Sequence, residues 1–187
     1  MKRITRKTKE TQVSIALART TGAGLGAVTV STTLPFFDHM LTALLRYAGL
    51  DGSVSATGDL RHHLMEDVGI TLGRAVREIL PEAIARYGDR TVVMDDALVL
   101  AAIDVGGRFH FAGELPSRLY THVLRSFADA LGAGLHVRVL AGKDRHHILE
   151  AAMKATGLAL RAAMSDTGAA VFSTKGSADI FVGEDEP

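Results

Sequence analysis

Apolar and polar positions fall into a pattern that is laid down twice along this chain. Val13, Ile15 and Leu17 alternate with smaller or polar residues, the period of a half-buried strand. A glycine-rich turn, Gly22-Ala23-Gly24-Leu25-Gly26, leads to a second alternating run from Ala27 to Thr32. Pro35 precedes a helical pattern from about Asp38 to Tyr47, with Asp38 placed as N-cap and Gly49 as the stop. A strand at Ser53 to Thr57 and a helix from about His63 to Leu80 follow; Leu64, Val68, Leu72, Val76 and Ile79 form that helix's apolar face. The plan then repeats. Residues 97–103 read as a strand, Gly106-Gly107 as a turn and Arg108 to Ala112 as a strand. Leu119 to Leu131 reads as a helix, Leu135 to Leu140 as a strand, and His147 to Met164 as a long helix. Tyr87 to Asp96 is expected to link the halves. The predicted class is α/β, a two-layer α+β sandwich with each sheet covered on one face by paired helices, divided into half-domains 1–90 and 91–187.

The repeat is explicit in the histidines. His39, the pair His62-His63 and Glu66 recur as His122, His146-His147 and Glu150; adding 83 or 84 to each number converts the first set into the second. Leu41, Gly49 and Val54 match Leu124, Gly132 and Val137 in the same register, and Gly58 and Arg61 match Gly142 and Arg145 after a one-residue slip.

Composition narrows the chemistry. The 187 residues carry 21 basic and 21 acidic side chains, so no global charge favours nucleic acid or an anionic membrane. Cysteine is absent, which excludes thiolate metal sites and disulfides, whereas histidine occurs eight times. No apolar run reaches the roughly 18 residues of a membrane span. The basic Met1 to Lys7 segment lacks the apolar stretch of a signal peptide, so a soluble, cytoplasmic protein is expected.

Adjacent helical residues point about 100° apart, whereas i and i+4 lie about 40° apart. His62 or His63 can therefore work beside Glu66, but His62 and His63 cannot easily chelate one ion, and two separate metal centres are favoured. The candidate ligands are His39, His62, His63, Glu66, His122, His146, His147 and Glu150, four for each of two ions. Imidazole and carboxylate without sulfur suit Mn, Fe, Zn or Ni, and octahedral completion by substrate or water favours Mn. A lone histidine is more often an ordinary core or surface residue, and His136 on its strand is read that way; His110 and His136 have no counterpart in the repeat. Two copies of His-His-x-x-Glu at equivalent places outweigh that reading. Ser173-Thr174-Lys175-Gly176, Arg86, Arg108 and Lys154 are candidates for anion binding. A plain helical Glu150–Lys154 pair and an exposed turn are the ordinary alternatives. Gly24-x-Gly26 joins two strands and opens no helix, so it is no dinucleotide fingerprint.

These segments together resemble the imidazoleglycerol-phosphate dehydratase family of histidine biosynthesis. The resemblance rests on Thr8-Lys9-Glu10-Thr11, Phe36 to Leu41, Gly58-Asp59-Leu60 and His62 to Gly69. It continues through Arg86-Tyr87-Gly88, Met94 to Leu98, Asp104 to Arg108 and His122 to Ser126, and ends with His146 to Glu150, Lys154 and Ser173 to Gly176. It implies a duplicated fold like the second domain of ribosomal protein S5. It also implies two Mn ions per active site held by the eight ligands named above, drawn from different subunits of a homo-oligomer of two dozen chains. Glu10, Arg86, Arg108, Lys154, Ser173, Thr174 and Lys175 match the family's substrate-binding residues. The chain departs from the family pattern in a short loop at Arg61, in Leu64-Met65 between His63 and Glu66, and at Tyr47, where the family carries a substrate-contacting histidine.

The expected reaction is conversion of imidazole glycerol phosphate to imidazole acetol phosphate and water. It would run through an imidazolate stabilised by the two metals, with Glu10, Glu66 or Glu150 relaying protons. A dinuclear metal phosphohydrolase is the rival enzyme, which would place its ions about 3.5–4 Å apart across a shared carboxylate. A metal-storage assembly is the rival outside enzymes, and the Arg86, Arg108 and Lys175 set argues against it.

Overall fold

The computed structural model describes residues 1–22 and 24–168. Ser173, Thr174 and Lys175, the acidic end from Asp179 to Pro187, and Ala23 of the glycine-rich turn lie outside the described residues. Among the described residues eight strands and four helices follow one another in two equal rounds. The first round is β1 (Lys2–Lys7), β2 (Thr11–Arg19), β3 (Val28–Ser31), α1 (Pro35–Tyr47), β4 (Leu50–Gly58) and α2 (Arg61–Arg77). The second is β5 (Tyr87–Met94), β6 (Ala97–Val105), β7 (His110–Gly113), α3 (Arg118–Leu131), β8 (Ala133–Ala141) and α4 (Arg145–Ala163).

Each round closes its own sheet, ordered β1-β2-β4-β3 and β5-β6-β8-β7, with the last pair parallel and the others antiparallel. The two sheets thus share one topology, as the repeated pattern predicts. Alternation is clearest in β6, where Ala97, Val99, Ala101, Ile103 and Val105 are buried and their neighbours are not.

Three expectations are corrected. Tyr87 to Asp96 is not a linker: Tyr87–Met94 is edge strand β5 of the second sheet, and 95–96 is its turn. Strand β1, in the same place in the first sheet, is the basic Met1 to Lys7 segment, where no strand was expected. Both are edges that put few apolar side chains on the core, Ile4 in β1 and Val92 and Met94 in β5, too few to show the alternation of a half-buried strand; their Lys, Arg and Asp residues also discourage pairing with a second edge. Asp38 does not cap α1. Leu34 is the N-cap residue and Pro35 opens the helix, while the Asp38 carboxylate accepts hydrogen bonds from the Thr32 backbone N–H and hydroxyl at 2.8 and 2.5 Å.

The helices lie between the sheets, and they pair across the halves: α1 packs on α4, and α2 on α3. Glycines permit the approach. A Cβ on Gly73 of α2 would strike the Phe127 carbonyl oxygen of α3, and one on Gly157 of α4 would strike the Leu44 carbonyl oxygen of α1. Gly73 and Gly157 are repeat-equivalent, as are Leu44 and Phe127. One continuous apolar core runs through both halves, from Val13, Ile15 and Leu17 to Ala159 and Leu160.

Gly73→Ala and Gly157→Ala are each expected to lower stability by about 1–3 kcal/mol, as overpacking at a close backbone crossing does. Gly134→Ala, whose nearest neighbour would be 3.8 Å away, should stay within about 0.5 kcal/mol of wild type. Urea unfolding of the three variants checks the contrast.

Candidate metal and substrate site

The pairing of α1 with α4 and α2 with α3 brings the repeated histidines together crosswise. His39 of α1 meets His146 and Glu150 of α4, and His122 of α3 meets His62 and Glu66 of α2. In each set three ligand atoms lie within 4.8 Å of one another. Each of these two clusters therefore takes its single histidine from one half and its His-x-x-x-Glu pair from the other; a third group of potential ligands, Glu10, Asp59 and His63, lies within the first half. The i, i+4 spacing sets both pair members on one helical face, as expected.

Glu150 is the more enclosed carboxylate. Its Oε2 lies 3.1 Å from His39 Nε2 and 3.0 Å from His146 Nε2, and its Oε1 lies 2.9 Å from Lys154 Nζ. Burial pushes this carboxyl up, but the hydrogen bonds from Lys154, His39 and His146 outweigh it and hold the group at about 2. In the sister cluster Glu66 Oε1 lies 3.1 Å from His122 Nε2 and Oε2 lies 3.6 Å from His62 Nε2. The two imidazoles there are stacked, with centroids 5.1 Å apart and planes at 21°. His122 Nε2 is buried and out of line for a hydrogen bond to Glu66 despite the short separation. A buried ring nitrogen facing a carboxylate without a hydrogen bond is the arrangement a cation between them would complete, and the imidazole–carboxylate donor sets fit a divalent ion. The clusters have no residue in common.

The second member of each His-His pair turns away from its own cluster. His63 Nδ1 lies 3.2 Å from Asp59 Oδ1 and 3.3 Å from Glu10 Oε2. His147 Nδ1 lies 2.8 Å from Asp96 Oδ1, with Asp95 Oδ2 3.2 Å from its Nε2. Asp96 also accepts from the backbone N–H groups of Lys143 and Asp144, and Asp144 caps α4 by accepting from His146 and His147. The hydrogen bond to Asp59 raises the pKa of His63, as that to Asp96 raises the pKa of His147. The His147 bond and the two backbone bonds hold Asp96 at about 2. Glu10 reaches His63 because its turn is anchored: buried Asp67 accepts from Arg6 Nε at 2.9 Å and from the Thr11 hydroxyl. The Asp59 backbone N–H donates to the Glu10 carbonyl. These aspartates were not among the candidates from sequence. Only Asp59, four residues before His63, carried a local signal, since Asp96 is distant in sequence from His147.

The expected anion residues are divided. Lys154 stands at the Glu150 cluster. Arg86 and Arg108 line a recess of about 770 Å³ on the second sheet with Asp104, Phe109, His110 and His136. Arg86 pairs with Asp104 through Nε at 2.7 Å and Nη2 at 3.2 Å, which raises its pKa further. Asp96 and Asp104 stand at opposite ends of β6, about 27 Å apart at the rise of a strand. One chain does not bring the arginine recess and the His147 end together.

Fold and site together define an internally duplicated α/β protein with two separate, pseudo-symmetric clusters of imidazole and carboxylate. A sequence model of imidazoleglycerol-phosphate dehydratase matches residues 32–160. The imidazoleglycerol-phosphate dehydratase of Anaeromyxobacter sp. (strain Fw109-5) is 44% identical, covering 92% of this chain and 91% of the relative. That of Pyrobaculum arsenaticum is 45% identical, covering 86% of this chain and 92% of the relative. Among solved structures, the enzyme from Pyrococcus furiosus, in complex with (S)-C348, superposes with a TM-score of 0.82 at 39% identity, over 94% of this chain and all of that one. The Staphylococcus aureus dehydratase shares the fold, with a TM-score of 0.74 at 24% identity, over 89% of this chain and 100% of that one. The chain belongs to the imidazoleglycerol-phosphate dehydratase family, and by class it is a hydro-lyase.

Asp96→Asn is expected to lower the His147 pKa towards its ordinary 6.5, read from the ring-proton NMR titration of metal-free protein. The signs of the two shifts set the pH window. The raised His147 contributes stability that is full below its ordinary value and lost as pH rises through the native one. The depressed Asp96 contributes stability present above its ordinary 3.8 and lost as pH falls towards 2. The stability gap between wild type and variant should be widest between 3.8 and 6.5 and narrow on either side.

Proposed function

We propose that the chain removes water from imidazole glycerol phosphate to give imidazole acetol phosphate, with two Mn ions per site, inside a homo-oligomer of two dozen chains. The observation that carries this reading is the pair of equivalent three-donor clusters, each beside an imidazole that faces away from it towards carboxylates of its own chain. His39, His146 and Glu150 would hold one ion, and His62, Glu66 and His122 the other. His63 and His147 would complete the clusters of neighbouring chains. The 27 Å of β6 between the His147 end and the arginine recess supports the same reading, because Arg86 and Arg108 would grip the phosphate of a substrate whose ring is held by another subunit. Within an assembly, Lys154, Ser173, Thr174 and Lys175 would supply the remaining phosphate contacts.

When bound, the cations would supply Lewis-acid charge that brings loss of a proton from the substrate's imidazole ring within reach of neutral pH. The chain's own groups do the rest. Elimination breaks a C–H bond and the neighbouring C–OH bond, and the resulting enol becomes a ketone. Glu10 is the carboxylate that would relay the proton: it is exposed, beside His63 and the Asp59 carboxylate, and among the described residues no ammonium or guanidinium pairs with it, whereas Glu150 is saturated by Lys154, His39 and His146. A phosphohydrolase with bridged metals is disfavoured, because the clusters have no carboxylate in common. Among the described residues no helix is long and apolar enough to cross a membrane. The cytoplasmic location expected from the sequence belongs to this reading.

Incubation with imidazole glycerol phosphate and Mn should yield an enolisable ketone and no free phosphate; release of phosphate instead would favour the hydrolase. Glu10→Gln should lower kcat about 10²- to 10⁴-fold. His147→Ala and Arg108→Ala should each be nearly inactive alone, yet metal-stripped mixtures of the two, reassembled with Mn, should regain activity. A mixture as inactive as its parts would show that the groups act within one chain.

A further inference from the structure

The duplication provides its own internal comparison. Glu66 and Glu150 are equivalent, each facing two imidazoles, but the residue one helical turn later differs: Ile70 follows Glu66 and Lys154 follows Glu150. Lys154 is held in place on three sides. Its Nζ lies 2.9 Å from Glu150 Oε1, 3.5 Å from Met94 Sδ and 5.5 Å from the centroid of the Tyr47 ring, whose face it overlies. The Glu150 side chain is 9% exposed and that of Glu66 35%. Among the described residues no ammonium or guanidinium pairs with Glu66. With neutral imidazoles, the Glu66 cluster therefore carries one uncompensated negative charge. At the Glu150 cluster the adjacent ammonium cancels it.

We infer that the two clusters are unequal cation sites: His62, Glu66 and His122 bind a divalent ion first, and His39, His146 and Glu150 bind theirs second and more weakly, because Lys154 stands beside Glu150. This rests on the reading that both clusters hold divalent cations. The ion at the second cluster would approach Oε2, where His39 and His146 converge, with the ammonium on the other oxygen of the same carboxylate. Repulsion over that span, after screening by water and salt, corresponds to a difference on the order of 10- to 100-fold in affinity. The Tyr47 face keeps the ammonium from swinging out to solvent to escape the ion. Tyr47 is thus a positioning residue for Lys154.

The test is titration of the metal-stripped, full-length chain with Mn²⁺, with bound ions followed by calorimetry and free Mn²⁺ by its paramagnetic resonance signal. Wild type should bind in two steps separated by at least tenfold. Lys154→Met should tighten the second step and merge the two, and Ile70→Lys should weaken the first, which keeps the test decisive if either variant folds poorly. His122→Asn should remove the tight step and His39→Asn the weak one. Tyr47→Leu should narrow the separation and Tyr47→Phe preserve it. A single step in wild type, two steps untouched by Lys154→Met, or loss of the tight step in His39→Asn would overturn the inference while leaving both clusters as cation sites. No binding of Mn²⁺ at all would overturn that underlying reading as well.

Discussion

Two helix crossings decide where everything else in this protein stands. α1 meets α4 and α2 meets α3 at glycines, so that Gly157 faces the Leu44 carbonyl and Gly73 the Phe127 carbonyl with no side chain between. Because each crossing joins one half to the other, the histidine on α1 or α3 arrives beside the His-x-x-x-Glu face of its partner helix. Spreading the helices by the width of a methyl group would draw the single histidine of each cluster away from the pair it faces. Core packing and site geometry are the same constraint here, and a substitution at Gly73 or Gly157 strains both.

The same crossings decide how each adjacent histidine pair divides. Neighbours on a helix point about 100° apart. His62 and His146 face the clusters, whereas His63 and His147, the less exposed ring of each pair, turn to Asp59 and Asp96, which hold one ring nitrogen of each. Carboxylate partners of this kind fix the tautomer and orientation of an imidazole; Asp95 lies against the other nitrogen of His147. The arginine recess stands at the other end of β6, where Arg86 pairs with Asp104.

Duplication did not leave the halves identical. The second carries Lys154 against Glu150 and an N-cap at Asp144; the first has Ile70 and an uncapped start at Leu60, with Asp59 accepting from the Leu60 backbone instead. The differences lie where charge, rather than backbone position, matters.

Much was legible in the residues alone. The duplication, the sheet-and-helix plan, the ligand types and the family all follow from period, spacing and motif, because a helix or a half-buried strand stamps its periodicity on the chain and a pair at i, i+4 shares a face wherever the helix lies. Edge strands β1 and β5 escaped, since each lays too few apolar side chains on the core, Ile4 in one and Val92 and Met94 in the other, to leave a legible alternation. The division of the eight ligands between clusters was also beyond the sequence. Whether His39 stands beside Glu66 or Glu150 depends on which helices cross, and crossing is set by long-range packing of surfaces that no local pattern encodes. Asp96 behind His147, the seat of Lys154 against Met94 and Tyr47, and the separation of the arginine recess from the His147 end were likewise decided in three dimensions.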